Sequence, residues 1–515
     1  MTTPGTLPRL NAELLKEQPS LISTKTPGGV LPEKILQFGE GNFLRGFVDW
    51  MINGMNHKGL FEGSVVIVQP VAQGLVSKLN EQNGLYTLLL RGVQNGKVVE
   101  EQQVINSISR GINPYADFQG YLKCAHNPDL RFIVSNTTEA GIAFVASDRP
   151  TDQPPSSYPG KLTLLLLERY KAFKGDLSKG FVLLPCELID RNGDNLKKTV
   201  LETASNWQME PAFIEWIQKA NIFTNTLVDR IVVGYPRGEA ESLWKKAGYQ
   251  DDLFDCAEVF HLWVIEAPTS VAAEFPLKEA GFNVVWTDNM KPYRDRKVRI
   301  LNGAHTSSVF AAYLAGKNYV AEIMDDPLTF DYMKKAVHQE IIPTLTLPKE
   351  ELEAFATAVF ERFRNPFINH ELLSISLNSV SKYKARVLPS LERYVEIYGE
   401  VPAHLSFGLA SLIAFYHGTE IRGTALIGLR DGKEYNIKDD LAILKTFAEL
   451  WSHCDGSPKA IAVLTDTILQ QSGWWGRDLR EIKGLSAAVT GYLISILKNG
   501  MVAALEQVEH AKKPA

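Results

Sequence analysis

Cysteine is scarce in this chain and nowhere paired in sequence. The four residues, Cys124, Cys186, Cys256 and Cys454, stand far apart with no Cys-x-x-Cys among them, which excludes the spacing of a zinc knuckle or a disulfide framework and suits the reducing cytoplasm. His-Glu-x-x-His is missing too, and the one tight group of ligand types, His453-Cys454-Asp455, reads as a surface turn, so no metal is expected. Basic charge is not in excess: 54 Lys and Arg against 59 Asp and Glu give a formal net charge of -5. That leaves little to neutralise a phosphate backbone, so no nucleic-acid partner is expected. No apolar run approaches the ~20 residues of a membrane span, and the first 26 residues mix Pro, Lys, Glu and Ser without an apolar core. Neither an anchor nor a secretion signal is expected.

What remains is a globular chain of 515 residues, too long for a single core and pointing to two or three domains. After a polar leader (1–30), Ile35-Leu36-Gln37-Phe38 reads as a short buried strand. Gly39-Glu40-Gly41-Asn42 follows, and then Phe43, Phe47, Trp50 and Met51 at helical spacing. In such a strand, glycine turn and helix, the glycines let a pyrophosphate approach the backbone while the helix amino terminus offers unpaired N–H groups. Leu44 occupies the usual third glycine position, so the common fingerprint is broken, and a plain tight turn is the competing reading. Arg45 could reach a cofactor phosphate or lie on the helix surface. The second strand, Val65 to Val68, ends at Gln69 where an acid often holds the adenine ribose, which leaves NAD and NADP undecided on first principles.

Tyr86 to Leu90 and Val98 to Val104, joined across Asn95-Gly96, read as a hairpin. The strand Arg131 to Val134 runs into Ser135-Asn136-Thr137-Thr138-Glu139, polar residues where an open α/β sheet binds its ligand, although a loop needs such residues in any case. Strands at 181–184, 261–266 and 282–286 alternate with helices, which predicts an α/β fold with a doubly wound, Rossmann-like sheet over residues 31–290. From about residue 291 apolar residues step at helical intervals, as in Leu352, Phe355, Ala356, Val359, Phe360 and Phe363, and strand signals nearly vanish. Residues 291–515 are therefore expected to form a mostly α-helical carboxyl-terminal domain, with ligands bound in a cleft between the domains.

That second domain opens on Lys297-Val298-Arg299-Ile300-Leu301-Asn302-Gly303-Ala304-His305. On an α-helix Lys297, Asn302 and His305 fall within an arc of roughly 140°, where a lysine can exchange a proton, an amide can donate to a carbonyl oxygen and a histidine can orient either. An ordinary amphipathic helix with a solvated lysine and a core histidine has the same spacing. Gly303 costs about 1 kcal/mol against alanine in a helix and suits a site where a ligand or another backbone comes close.

Lys297, Asn302, Gly303 and His305 stand at the spacing of the mannitol dehydrogenase family of polyol-type long-chain dehydrogenases, and the longer run from Pro292-Tyr293-Arg294 through His305 resembles its hexuronate branch. Phe38-Gly39-x-Gly41-x-Phe43-x-Arg45 is similar to that family's own version of the glycine loop, and the likeness spans roughly residues 31 to 500. It implies NAD as cofactor, Lys297 as catalytic acid/base with Asn302 and His305 beside it, and Phe38, Gly39, Gly41, Asn42, Phe43, Arg45, Asn136 and Thr138 near the cofactor. It further implies a hexuronate substrate near Glu139 and Asp229. Arg294 stands where mannitol-oxidising relatives carry glutamate, and an arginine can grip a carboxylate with two hydrogen bonds; Lys382 and Arg386 are further candidates, and a solvated basic run is the plain alternative. Leu188 replaces an asparagine of the polyol-oxidising members, so hydroxyl recognition cannot be copied from them. Another hexuronate epimer, a neutral polyol and a non-catalytic nucleotide-binding role stay open.

Overall fold

The computed structural model describes residues 7–22, 31–138 and 140–510. Two compact units emerge: Met1–Gly92 with Val98–Met290, and Val93–Lys97 with Lys291–Ala515.

The first unit is built on six parallel strands: β1 (Glu33–Phe38), β2 (Ser64–Val68), β3 (Ile108–Ile112), β4 (Phe132–Ser135), β5 (Val182–Pro185) and β6 (Ile222–Phe223). Their spatial order is 3-2-1-4-5-6, that of a doubly wound dinucleotide fold, in which the order reverses between β1 and β4. Every residue of β2 is buried, as expected of a parallel sheet covered on both faces. Alternation along β1 divides the core. Ile35 packs with Val65, Val134, Leu184, Phe47 and Met51 on one face, while Leu36 and Phe38 pack with Val66, Ile133, Leu183, Leu162 and Leu165 on the other. Truncating one such residue, Ile35→Ala for example, should cost about 2–5 kcal/mol.

The hairpin Tyr86–Gln94 with Lys97–Ile105 turns at Asn95 (φ 53°) and Gly96 (φ 72°), the pair of positive φ angles that an Asn-Gly turn supplies. The stretch read as a polar leader contains a helix, Ala12–Glu17, and Leu10 and Leu14 are buried against Leu85, Val104 and Tyr249.

In the second unit Gly303–Leu314 and Ala403–Phe415 pack together. Ala403–Phe415 is buried from His404 to its end, with Leu485–Asn499 against it. One expectation needs correcting: strands do recur after residue 291, as the antiparallel set Ile421–Arg422, Ala425–Arg430 and Lys433–Ile437. Asp431-Gly432, with φ 51° and 75°, makes its turn. The flanking strands are too short and too unlike each other in polarity to show a period of two. Among the described residues no helix is long and apolar enough to cross a membrane.

Candidate functional site

At the carboxyl end of β1 the chain turns through Gly39, whose φ of +126° an L side chain rarely adopts; a Cβ there would lie 3.2 Å from Leu44 Cδ1 and 3.3 Å from the Asn136 carbonyl oxygen. Backbone hydrogen bonds stitch the turn to both neighbouring strands: Gly39 N–H donates to Val68 O (3.1 Å) and Asn136 N–H to Phe38 O (3.2 Å). Gly41 differs from Gly39. It is exposed, starts the helical stretch 42–57, and a Cβ built on it meets no atom within 4 Å among the described residues. Packing within the protein therefore does not demand glycine there, whereas close approach of a phosphate to the backbone would.

Two residues read as cofactor contacts belong instead to the support of this turn. The Phe38 ring is buried between Tyr121 and Tyr158, with centroids 6.1 and 4.8 Å away. Arg45 is also buried: Nε donates to Glu40 O (3.2 Å), Nη2 to Asn42 Oδ1 (2.8 Å) and Nη1 to Leu253 O, so its donors clamp the loop from beneath. Asn42 is exposed, and Phe43 is half-buried on Phe47 at 5.1 Å. Gln37, read from the sequence only as part of the first strand, bridges Gly39 O (3.1 Å) and Asp49 Oδ2 (3.0 Å) through its amide. Burial pushes the Asp49 carboxyl up to about 7.

Across the switch point, Asn136 Nδ2 donates to Cys186 O at 2.8 Å, while Thr138 is exposed and holds φ at +137°. Glu139 lies outside the described residues. Beyond β2 and β3 a cleft of about 640 Å³ opens between Gln69, Gln73, Asn80, Asn113 and Asp117, within the range of small-molecule sites and rich in hydrogen-bonding groups. Gln69 folds back to hold its own loop, donating to Val71 O (2.9 Å) and Ala72 O (3.0 Å).

In the second unit the helix 291–314 is not regular. Lys297–Asn302 forms a π-helical turn, with Gly303 N–H reaching the Val298 carbonyl five residues back. Residues five apart stack along a π turn as residues four apart do along an α-helix. Lys297 and Asn302 thus align more closely than the ~140° of a regular α-helix. Both are half-buried. Gly303 admits a close backbone, since a Cβ there would lie 3.1 Å from the Arg386 carbonyl oxygen.

His305 is buried, its ring 4.0 Å from that of Phe363 and 5.3 Å from that of His370, and its Nδ1 has no hydrogen-bond partner among the described residues. Burial first, then the charges of His370, Arg362 and Arg386, hold it well below the ordinary histidine range, so the ring is neutral. Arg386 Nη1 stands 3.5 Å from Thr306 Oγ1, and Lys382 Nζ donates to Ile375 O at 2.9 Å. Desolvation and the Arg386 charge lower Lys382. His305, Arg362, His370, Lys382 and Arg386 thus feel one another, an environment suited to an anion. Arg362 and His370 escaped the sequence reading because nothing in their spacing ties them to Lys297.

The basic run before Lys297 is not uniformly solvated. Lys291 is exposed and pairs with Asp295 at 2.6 Å, whereas Arg296 is buried, paired with Glu351 and stacked over Phe355 at 4.6 Å. Arg294 is half-buried on Lys291–Arg296. In the first unit Asp229 is buried at the end of the strand Asn225–Asp229.

Residues 33–279 match the mannitol dehydrogenase Rossmann domain and residues 289–496 the mannitol dehydrogenase C-terminal domain. The chain belongs to the mannitol dehydrogenase family. Its curated relatives include altronate oxidoreductases of Klebsiella pneumoniae strain 342, 47% identical over 92% of this chain and 96% of the relative, and of Pectobacterium carotovorum subsp. carotovorum strain PC1, 47% identical over 93% and 98%. Among solved structures, substrate-free D-sorbitol dehydrogenase shares the fold at a TM-score of 0.78 and 22% identity, covering 97% of this chain and 100% of that one. The Pseudomonas fluorescens mannitol 2-dehydrogenase ternary complex with NAD and D-mannitol does so at 0.66 and 22%, covering 98% and 100%.

Proposed function

We propose that this protein is an NAD-dependent oxidoreductase acting on CH–OH, a tagaturonate reductase that interconverts D-tagaturonate and D-altronate. The observation that carries the reading is the basic environment around a neutral, buried His305, in a chain nearly half identical to altronate oxidoreductases along almost its whole length. A uronate differs from a neutral polyol by one carboxylate, and Arg294, Lys382 and Arg386 are the side chains we assign to it, since an arginine fork matches that group. The glycine turn suits NAD because Gly41 leaves its backbone uncovered, and the polar cleft beyond β2 suits the adenosine. Cytoplasmic residence fits the four free cysteines.

Bound NADH would supply a hydride to the substrate ketone. As that carbonyl oxygen gains charge, Lys297 in its ammonium form gives it a proton. Asn302, aligned with Lys297 by the π turn, donates a hydrogen bond to the same oxygen, a fixed dipole that needs no reorganisation. His305, neutral and buried, is the residue we assign to orienting Lys297 and Asn302. In the reverse direction Lys297 must be neutral to take the alcohol proton, so oxidation of altronate accelerates at alkaline pH. Asp229, in the first unit, is the carboxylate we assign to substrate binding there.

The test is loss of NADH absorbance by purified protein with tagaturonate, fructuronate or fructose, and with NADPH in parallel. Turnover of tagaturonate with NADH alone supports the reading. Preference for fructuronate keeps the chemistry and changes the epimer, preference for fructose makes it a polyol enzyme, and NADH binding without turnover of any ketose points to a non-catalytic nucleotide-binding protein.

A further inference from the structure

Glu187, directly beyond β5, is 3% exposed, and its carboxylate faces the loop leaving β4. Three donors of that loop converge on it: Ser135 Oγ on Oε2 at 3.1 Å, Thr137 N–H on Oε1 at 3.0 Å and Thr137 Oγ1 on Oε1 at 3.0 Å. A carboxylate is acceptor-only and receives all three without conflict. The segment carrying it is itself fixed, because Asn192 Nδ2 donates to Pro185 O (2.8 Å) and Glu187 O (3.1 Å). The next residue of the loop, Thr138, sits at φ +137°, where a β-branched side chain is strained. Strain of this kind persists where the surroundings over-determine the backbone.

We propose that Glu187 is a positioning residue, holding Ser135–Thr138 from beneath in the shape that receives the cofactor at the β1/β4 switch point. The inference rests on the NAD-dependent reading above. Glu187 acts through the loop: its oxygens are spent on Ser135 and Thr137, the Asn136 amide is spent on Cys186 O, and the exposed Thr138 is left to face the ligand.

The experiment uses the full chain and measures the NADH Kd by fluorescence titration, kcat and KM for tagaturonate, and the thermal midpoint. Glu187→Ala removes all three acceptor contacts and should raise the NADH Kd about tenfold or more. Glu187→Gln keeps one oxygen for both Thr137 donors and can offer its amide to Ser135 Oγ, so its Kd should stay within about threefold of wild type. Val200→Ala, a cavity under the same sheet, serves as a control that lowers the midpoint without touching the loop and should leave Kd unchanged. If Glu187→Ala does not fold, Thr137→Val, which deletes one of the three donors, should still raise Kd by several-fold. The proposal is overturned if Glu187→Ala binds NADH like wild type, if Gln rescues no better than Ala, or if Val200→Ala weakens binding equally. Wild-type protein that binds no NADH would instead sink the NAD-dependent reading, and this inference with it.

Discussion

Gly41→Ala separates what the protein needs from what the cofactor needs. Gly41 has φ -68° and ψ 168°, ordinary for alanine, and a Cβ there contacts nothing within 4 Å among the described residues. Alanine stabilises by reducing the freedom of the unfolded chain, about 0.4–1 kcal/mol, and loses up to about 1 kcal/mol as a poorer helix cap. The two nearly cancel, so the thermal midpoint should move by no more than roughly 2–4 °C. A pyrophosphate lying on this backbone would meet the new methyl, and the NADH Kd should rise about tenfold or more, a loss of at least 1.4 kcal/mol. Fluorescence titration and thermal unfolding read the two effects separately. A folded Gly41→Ala protein that binds NADH as tightly as wild type would refute the assignment of the turn, and one that fails to fold would refute the packing argument.

Lys297→Ala should still bind NADH yet lose at least about a hundredfold in turnover, the lower range of a positioned acid/base; wild-type altronate oxidation that stays flat from about pH 6 to 10, with chemistry rate-limiting, would count against the lysine. Arg294→Glu should abolish uronate turnover while the fold survives, and unchanged KM for tagaturonate would remove Arg294 from the carboxylate site. His404 couples pH to stability. Burial pulls its pKa down, but hydrogen bonds to Glu340 (2.7 Å) and Glu509 (3.2 Å) outweigh that and raise it to about 9. The charged ring therefore contributes about 3 kcal/mol that is fully present below pH ~6.5 and is lost as pH rises through 9. His404→Gln should flatten this slope in thermal scans from pH 6 to 10; an equal slope in both proteins would contradict it. Gly193→Ala would place a Cβ 2.0 Å from the Thr224 carbonyl oxygen and should destabilise by about 1–3 kcal/mol, seen as a lower midpoint.

The sheet was legible because its strands are short, apolar and bounded by turn residues: β1 and β2 lie where Ile35 to Phe38 and Val65 to Val68 predict them. The chain's spacing also drew attention to Lys297, Asn302 and Gly303. It did not reveal the π turn, since bond shifts from i→i+4 to i→i+5 leave no mark in residue type. Arg45 illustrates the opposite limit: an arginine beside a glycine turn reads as a phosphate ligand, and only the carbonyls of Glu40 and Leu253, the latter 208 residues away, show that it is a clamp. Arg362, His370 and Glu187 were invisible for the same reason, because their partners are distant in sequence. The antiparallel strands after residue 420 were missed although Asp431-Gly432 carried their turn signal.

Isotope transfer follows the hydride from NADH to the hexuronate ketone and so decides the proposed reaction. Protein incubated with tagaturonate and NADH deuterated at the transferable position should yield altronate carrying one deuterium on the former carbonyl carbon, by NMR and mass spectrometry. Altronate without deuterium, or label appearing only when fructuronate or fructose replaces tagaturonate, would contradict the account.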